Sequence, residues 1–304
     1  MAGHTFERIL IAVADPSVGM TKAIRRASDL ARKTGASIEL FNAMPSAISE
    51  GTMHAEAEQF TRMAAEQNHR RLERTANRLR REELIVTTNV RTGSPILEAI
   101  LRQVRLTKAD LLVIEARKHN VFARLLLTQT DFELIRRCPV PLLIVKGRAA
   151  WRSPRILAAL DPFHTNDKPS ELDGEIVNAA RAVAAVVRGS VHAAHIYRPL
   201  VTYISGVPIG ASVRAAIPAQ EITYKVGVRR RFYEALRRYG IAKNKSRLIC
   251  GDPAIELPAL ARSMRAGLVV MGAISRSRLK RIFIGSTAEH VLDSLHCDLL
   301  VVKP

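Results

Sequence analysis

Short unbroken runs of Val, Ile, Leu and Ala alternate along this chain with longer stretches in which apolar residues recur at helical spacing. In the first half the apolar runs fall near residues 7–14, 36–41, 85–91, 109–114 and 141–146, with helical stretches near 18–34, 54–82, 95–106 and 130–137. In the second half the runs fall near 155–160, 190–196, 246–250, 267–271 and 299–303, with helical stretches near 170–188, 218–239, 253–265 and 287–296. Strands that are apolar on both faces and alternate with helices predict parallel sheets covered on both sides, an α/β fold. At 304 residues the chain has room for two such units, each with its own core.

The two halves repeat one another. R-I-L-I-A-V-A-D-P from Arg8 returns as R-I-L-A-A-L-D-P from Arg155, and R-T-G-S-P-I-L-E-A-I from Arg91 as I-C-G-D-P-A-I-E-L-P from Ile249. A-D-L-L-V-I at Ala109 matches A-G-L-V-V-M at Ala266, and P-L-L-I-V-K at Pro141 matches D-L-L-V-V-K at Asp298. Both later pairs have the same offset (109 to 266, 141 to 298), so the stretch between them aligns without a gap. The expectation is two tandem, doubly wound, five-stranded parallel-sheet units, residues 1–146 and 154–304, joined by a linker at 147–153 and forming an internal pseudo-dimer. The fifth strands are expected to be edges that offer a second chain a place to pair, a route to a homo-oligomer.

One segment stands out chemically. After the apolar run Leu268 to Met271 the chain reads G-A-I-S-R-S-R-L-K-R-I-F-I-G-S from Gly272 to Ser286, then enters the small-residue helix start at Thr287. A strand, a glycine-bounded basic loop and a helix N-terminus together supply free backbone N–H groups and a partial positive charge, the chemistry of a phosphate site. Arg276, Arg278, Lys280 and Arg281 add positive charge within the loop.

This segment resembles the ATP-binding loop of the universal stress proteins, written G-x2-G-x9-G-[ST]. Gly272, Ser275, Gly285 and Ser286 stand at the four fixed positions with the spacing intact; Ser275 departs from the family's second glycine. L-H-C-D-L-L-V-V-K-P at the end of the chain is similar to the family's closing strand, and two copies in one chain resemble the tandem, E-type members. The resemblance implies strand order 3-2-1-4-5 in each unit, with the ligand beyond the carboxyl ends of strands 1 and 4. It implies ATP or a related adenine nucleotide, with or without Mg²⁺, held by Asp161, Met271, Gly272, Ser275, Arg276, Gly285, Ser286 and Thr287. Asp161 would accept hydrogen bonds from the nucleoside; D-P-F-H equally suits a turn aspartate, and both readings stand. A cytoplasmic role in stress tolerance, including resistance to DNA-damaging agents, is implied as well.

The same offset lays the loop onto the first copy, where Gly272 falls on Glu115, Ser275 on Lys118, Gly285 on Thr128 and Ser286 on Gln129. With both glycines gone and a carboxylate in place of one, the first copy is expected to be silent toward ATP.

Charge opens a further possibility. The chain carries a net +19, spread over both halves: 24 basic against 16 acidic residues in 1–150, 23 against 12 in the rest. Two basic amphipathic stretches, Arg70 to Arg81 and Arg229 to Tyr239, occupy equivalent places. They suit binding to nucleic acid or anionic lipid, and equally a helix packed on a sheet with a solvated basic face. Three scattered cysteines argue against a disulfide framework, and no apolar run approaches the roughly 18 residues of a membrane span, so an integral membrane protein is not expected. No Walker, H-E-x-x-H, C-x-x-C or nucleophile-elbow pattern occurs. No general base presents itself, so the enzymatic alternative is a slow ATP hydrolase. His192 and His195, three apart on a strand, face opposite ways and suit packing, with His195 also near the nucleotide end. Cys138 precedes an apolar strand and reads as buried. The Gly/Pro-punctuated stretch Tyr197 to Ile217 reads as a long loop beside the site.

Overall fold

The structure is a computed structural model that describes residues 6–45, 54–116, 127–147, 150–163, 171–200, 211–273 and 291–304, without side chains for 54–55 and 211–216. The first half runs β1 (Arg8–Ala12), α1 (Lys22–Thr34), β2 (Ser37–Ala43), α2 (His54–Arg80), β3 (Val86–Arg91), α3 (Ile96–Leu106), β4 (Leu111–Glu115), α4 (Gln129–Arg137) and β5 (Leu142–Val145). The second runs β6 (Arg155–Ala159), α5 (Leu172–Val187), β7 (Ser190–Tyr197), α6 (Ala211–Arg238), β8 (Ser246–Cys250), α7 (Pro253–Ser263), β9 (Ala266–Gly272) and β10 (Asp298–Val302), with residues 291–294 helical before the last strand. Local signals explain the ends. The Thr21 hydroxyl accepts the Ile24 N–H at 3.2 Å to start α1, and Gly35, left-handed at φ 76°, stops it.

Each half has strand order 3-2-1-4-5, and the two sheets merge into one ten-stranded sheet, β3-β2-β1-β4-β5-β10-β9-β6-β7-β8. Pairing is parallel throughout except at the centre. There β5 meets β10 antiparallel, Leu143 opposite Leu300. This corrects the expectation that the fifth strands are free edges: they are the innermost pair, and the edges are β3 and β8. Every residue of both fifth strands is buried, so pairing them removes two apolar edges from water at once. α1, α2, α5 and α6 cover one face, and α3, α4, α7 and the 291–294 turn the other, each over an apolar cluster that continues across both halves. Leu72, Ala76 and Leu79 of α2 and Phe232 and Leu236 of α6 face that core while the arginines between them face water.

α6 also departs from expectation. It begins at Ala211 and runs through Pro218, so the loop after Tyr197 ends sooner than Ile217. Pro218 forfeits one intrahelical bond to the carbonyl four residues back, and the helix on either side carries through. Residues 201–210 of that loop lie outside the described residues.

Polar groups lock the junction between halves. Arg26 Nε donates to Asp298 Oδ2 at 2.7 Å, with 5% and 0% of the two side chains exposed. Asp298 Oδ1 accepts the N–H groups of Lys146 and Gly147 at 2.9 and 2.7 Å. The Arg26 guanidinium lies 4.4 Å from the Trp151 ring centre, and Trp151 Nε1 donates to the Gly267 carbonyl at 3.2 Å. Two lysines at equivalent repeat positions reach across in opposite directions. Lys146 Nζ donates to the Leu292 and Leu295 carbonyls, and Lys303 Nζ to those of Arg136 and Cys138 at 2.6 Å each. Each half thereby satisfies open carbonyls at the end of the other's last helix.

Candidate nucleotide site and family membership

The register of the second half brings the ends of β6 and β9 together. Ala158 pairs with Val270, so Asp161 and Ala273, each three residues further, leave the sheet side by side. Met271 and Gly272 pair with Val301 and Val302 on the other flank, and Met271 packs against the apolar cluster. Of the residues predicted for the site, Asp161, Met271 and Gly272 therefore lie at one sheet end, beyond the switch point between β6 and β9. Ser275, Arg276, Gly285, Ser286 and Thr287 lie outside the described residues.

Asp161 is tied into the start of α5. Its N–H donates to Asp173 Oδ1 at 3.0 Å, and its own Oδ1 accepts the Phe163 N–H at 3.3 Å. That is the turn geometry D-P-F-H allowed, and it fixes the carboxylate at the sheet end. Arg231 of α6 sits over the Phe163 ring at 4.9 Å, a cation beside this corner that sequence reasoning missed. His195 is buried, its Nδ1 3.0 Å from the Leu160 carbonyl, and stacks on Phe163 and Tyr197 at 5.7 and 6.3 Å. It braces the site wall. His192 contacts Ser190 Oγ at 3.2 Å, away from His195. Among the described residues no cluster of His, Cys, Asp or Glu could hold a metal ion.

Gly272 has a reason to be glycine beyond its place in the loop. A Cβ there would lie 2.5 Å from Leu172 Cδ2 and 2.7 Å from Leu172 Cγ. The first residue of α5 thus rests on bare backbone at the strand end. This contact spans 100 positions and leaves no trace in the local sequence.

The first half fills the corresponding places with carboxylates. Glu115 Oε2 accepts the Ala23 N–H at 3.1 Å at the first turn of α1, and Lys22 Nζ is 3.8 Å from Oε1. At the start of α4, Thr128 and Asp131 form a reciprocal capping box. Two helix N-termini that attract anions therefore already hold anions of the chain. The T-x-x-D spacing was the readable signal for the second of these.

The Universal stress protein family profile matches residues 5–146 and again 154–303. The chain belongs to the universal stress protein family. It is a tandem member, 26% identical over 305 residues to universal stress protein E of Photorhabdus laumondii, covering 97% of this chain and 94% of the relative. Universal stress protein E of Escherichia coli K12 is 31% identical over 211 residues, 68% of this chain and 65% of the relative. Two solved structures share the whole architecture. A functionally unknown protein from Pseudomonas aeruginosa PAO1 superposes with TM-score 0.71 at 22% identity, covering 99% of this chain and 94% of its own. A universal stress protein from Archaeoglobus fulgidus gives 0.65 at 16%, covering 99% and 97%. These structures establish the fold of the universal stress protein pair, and membership implies a stress-related role. Among the described residues no helix is long and apolar enough to cross a membrane.

Proposed function

We propose that this tandem universal stress protein acts in the cytoplasm and binds ATP or a related adenine nucleotide in its second half only, as a ligand-dependent state rather than for rapid turnover. One observation carries the reading: the G-x2-S-x9-G-S spacing from Gly272 to Ser286 begins where β9 ends, beside a neighbouring strand that ends in Asp161. In this reading Asp161 accepts from the nucleoside, Met271 and Gly272 flank it, and the loop from Ser275 to Thr287 holds the phosphates with the help of Arg276. The carboxylates of Glu115 and Asp131 support a silent first half. Isothermal titration of the full chain with ATP is the test, with one site per chain expected and none after Gly285→Glu. A second site, no binding by the parent, or unchanged binding by the variant would refute the assignment. Turnover with Mg²⁺ separates this from slow hydrolysis.

A further inference from the structure

The two basic helices singled out from the sequence are not alike once folded. On α2 each of four arginines has a glutamate partner: Arg62 with Glu58, Arg70 with Glu66, Arg78 with Glu82 and Arg80 with Glu73, at 2.8 to 3.9 Å. On the described part of α6 the corresponding pair is Lys225 with Glu221, and the arginines that follow have none. The imbalance continues past the end of α6, onto the amino ends of the second-half strands.

Four neighbouring strands, β9-β6-β7-β8, begin side by side at that end. Arg265 precedes β9, Arg155 opens β6, Arg188 lies two residues before β7, and Lys243, Lys245 and Arg247 surround the start of β8; all six are exposed. At about 4.8 Å per strand these cations span roughly 14 Å of rim. Among the described residues none of the six has a carboxylate within salt-bridge distance. The cations also act on a common neighbour: burial, and after it the charges of Lys245, Arg155 and Arg247, lower the pKa of His192.

The repeat supplies an internal control. Where the first half has Glu82 and Glu83 after its helix, the second has Tyr239 and Gly240, followed by a short 3-10 turn that adds Lys243 and Lys245. Where the second has Gly267, the first has Asp110, whose carboxylate accepts the N–H groups of Glu7 and Arg8 at 2.8 and 3.0 Å. Gly35 stands in place of Arg188 as the left-handed end of its helix. Helix C-termini favour nearby cations and edge strands favour charge of either sign, but both halves have the same helix ends and edges. Neither effect accounts for Glu82, Glu83 and Asp110 of the first half giving way to uncharged residues in the second, with Arg188, Lys243 and Lys245 added. Arg8 and Lys108 hold the places of Arg155 and Arg265, so those two cations are common to both copies.

We infer that the amino-end rim of the second half, from Arg265 across Arg155 and Arg188 to Lys243, Lys245 and Arg247, binds the phosphodiester backbone of nucleic acid without regard to sequence. Exposed, uncompensated cations on a sheet rim gain by displacing the counterions of a polyanion. Tyr233, approached by Arg229 at 5.9 Å and Lys243 at 5.1 Å, adds an aromatic face within the same patch. A lipid surface fits less well. Among the described residues the exposed large apolar ones of the second half are Ile222 and Val226, near the middle of α6, and Ile255, in the first turn of α7; none stands at the amino ends of the strands, so the described rim offers no apolar group to enter a bilayer. This surface is independent of the proposed ATP site, which lies at the opposite strand ends.

The test is fluorescence anisotropy of the full chain with labelled oligo(dT) of about 20 nucleotides, longer than a footprint of ~4–16. Parallel arms use oligo(U), duplex DNA of equal length, and phosphatidylserine vesicles. Binding at about 50 mM salt that weakens steeply toward 200 mM is expected. Lys243→Gln/Lys245→Gln/Arg265→Gln should lower affinity about tenfold and flatten the log–log salt slope by about 2, at roughly 0.7 per lost contact. Arg70→Gln/Arg74→Gln/Arg78→Gln on α2 should change it less than twofold. Far-UV dichroism verifies folding, and Lys245→Glu alone gives a second, surface-only probe of the same loss. No binding of any strand at low salt, equal losses from both triple variants, or rim-dependent binding to vesicles but not to oligonucleotides would overturn the inference.

Discussion

Thr128 and Asp131 exchange hydrogen bonds at the start of α4: the Thr128 N–H donates to Asp131 Oδ2 at 2.7 Å, and the Asp131 N–H donates to the Thr128 hydroxyl at 3.2 Å. The repeat offset sets Gly285 and Ala288 at these positions in the second half. One copy thus closes its helix start with its own carboxylate, and the other has glycine and alanine there. Thr128→Ala should cost about 1 kcal/mol, the usual worth of an N-cap. Urea denaturation reads that loss, and ATP titration of the same variant should match the parent. A gain of a second nucleotide site would mean that the capping box, not the lost glycines, keeps the first half silent.

Gly272 and Leu172 offer a packing test that does not depend on any ligand. Adding a single methyl in Gly272→Ala forces Leu172 off its seat, and we expect a loss of about 1–3 kcal/mol from overpacking. Leu172→Ala on its own should cost about 2–5 kcal/mol for the cavity it leaves. The two changes together should cost clearly less than their sum, because each relieves the other. Additive losses in denaturant melts would show that the two residues do not touch.

The Arg26–Asp298 pair should be sensitive to the loss of one partner and tolerant of losing both. Arg26→Met leaves a buried carboxylate with two backbone donors and no cation, for which a loss of about 3–5 kcal/mol is typical. Arg26→Met/Asp298→Asn removes the charge as well and should recover part of that loss. A double variant as unstable as the single one would show that shape rather than charge governs this contact.

Lys146 gives a pH signature. Burial lowers its ammonium from 10.5 to about 8. The folded chain therefore releases this proton before the unfolded chain does. Between about pH 8 and 10.5 the unfolded chain binds more protons, and stability rises with pH. The unfolding free energy of the parent, relative to Lys146→Met, should increase by about 1 kcal/mol from pH 7 to 9. Readings stop at pH 9 because burial pushes the Cys297 thiol up to about 12, and above its ordinary value of 9 that group acts in the opposite direction. A flat difference curve would place the Lys146 amine in water.

Much of the architecture is legible in the chain because it is written twice. The shared offset from Ala109 to Ala266 and from Pro141 to Asp298 located four strands and the loop between them, and apolar runs placed the others within a few residues. Partner choice at the centre was not legible. Leu142–Val145 and Leu299–Val302 are apolar on both faces, and that pattern tells burial but not which neighbour provides it. The start of α6 was hidden by Pro218 and the glycines before it, since local breaker residues outweighed a helix that packing sustains. At the candidate site, the glycines and Asp161 could be read from spacing. Leu172, Arg231 and the Glu115 contact to Ala23 could not, because each depends on chain segments brought together only by the sheet.

The antiparallel meeting of β5 and β10 has an evolutionary consequence. Separate subunits carrying such an edge would take whichever mate they met, copies of themselves included, and every inherited change would appear on both sides of the axis. Covalent continuity ends that duplication. Each second half is born beside one fixed companion in equal number, so a change to Asp110 or Glu115 need not be matched at Gly267 or Gly272. One copy is then free to keep a ligand loop while its twin gives up that loop and serves as a lifelong scaffold.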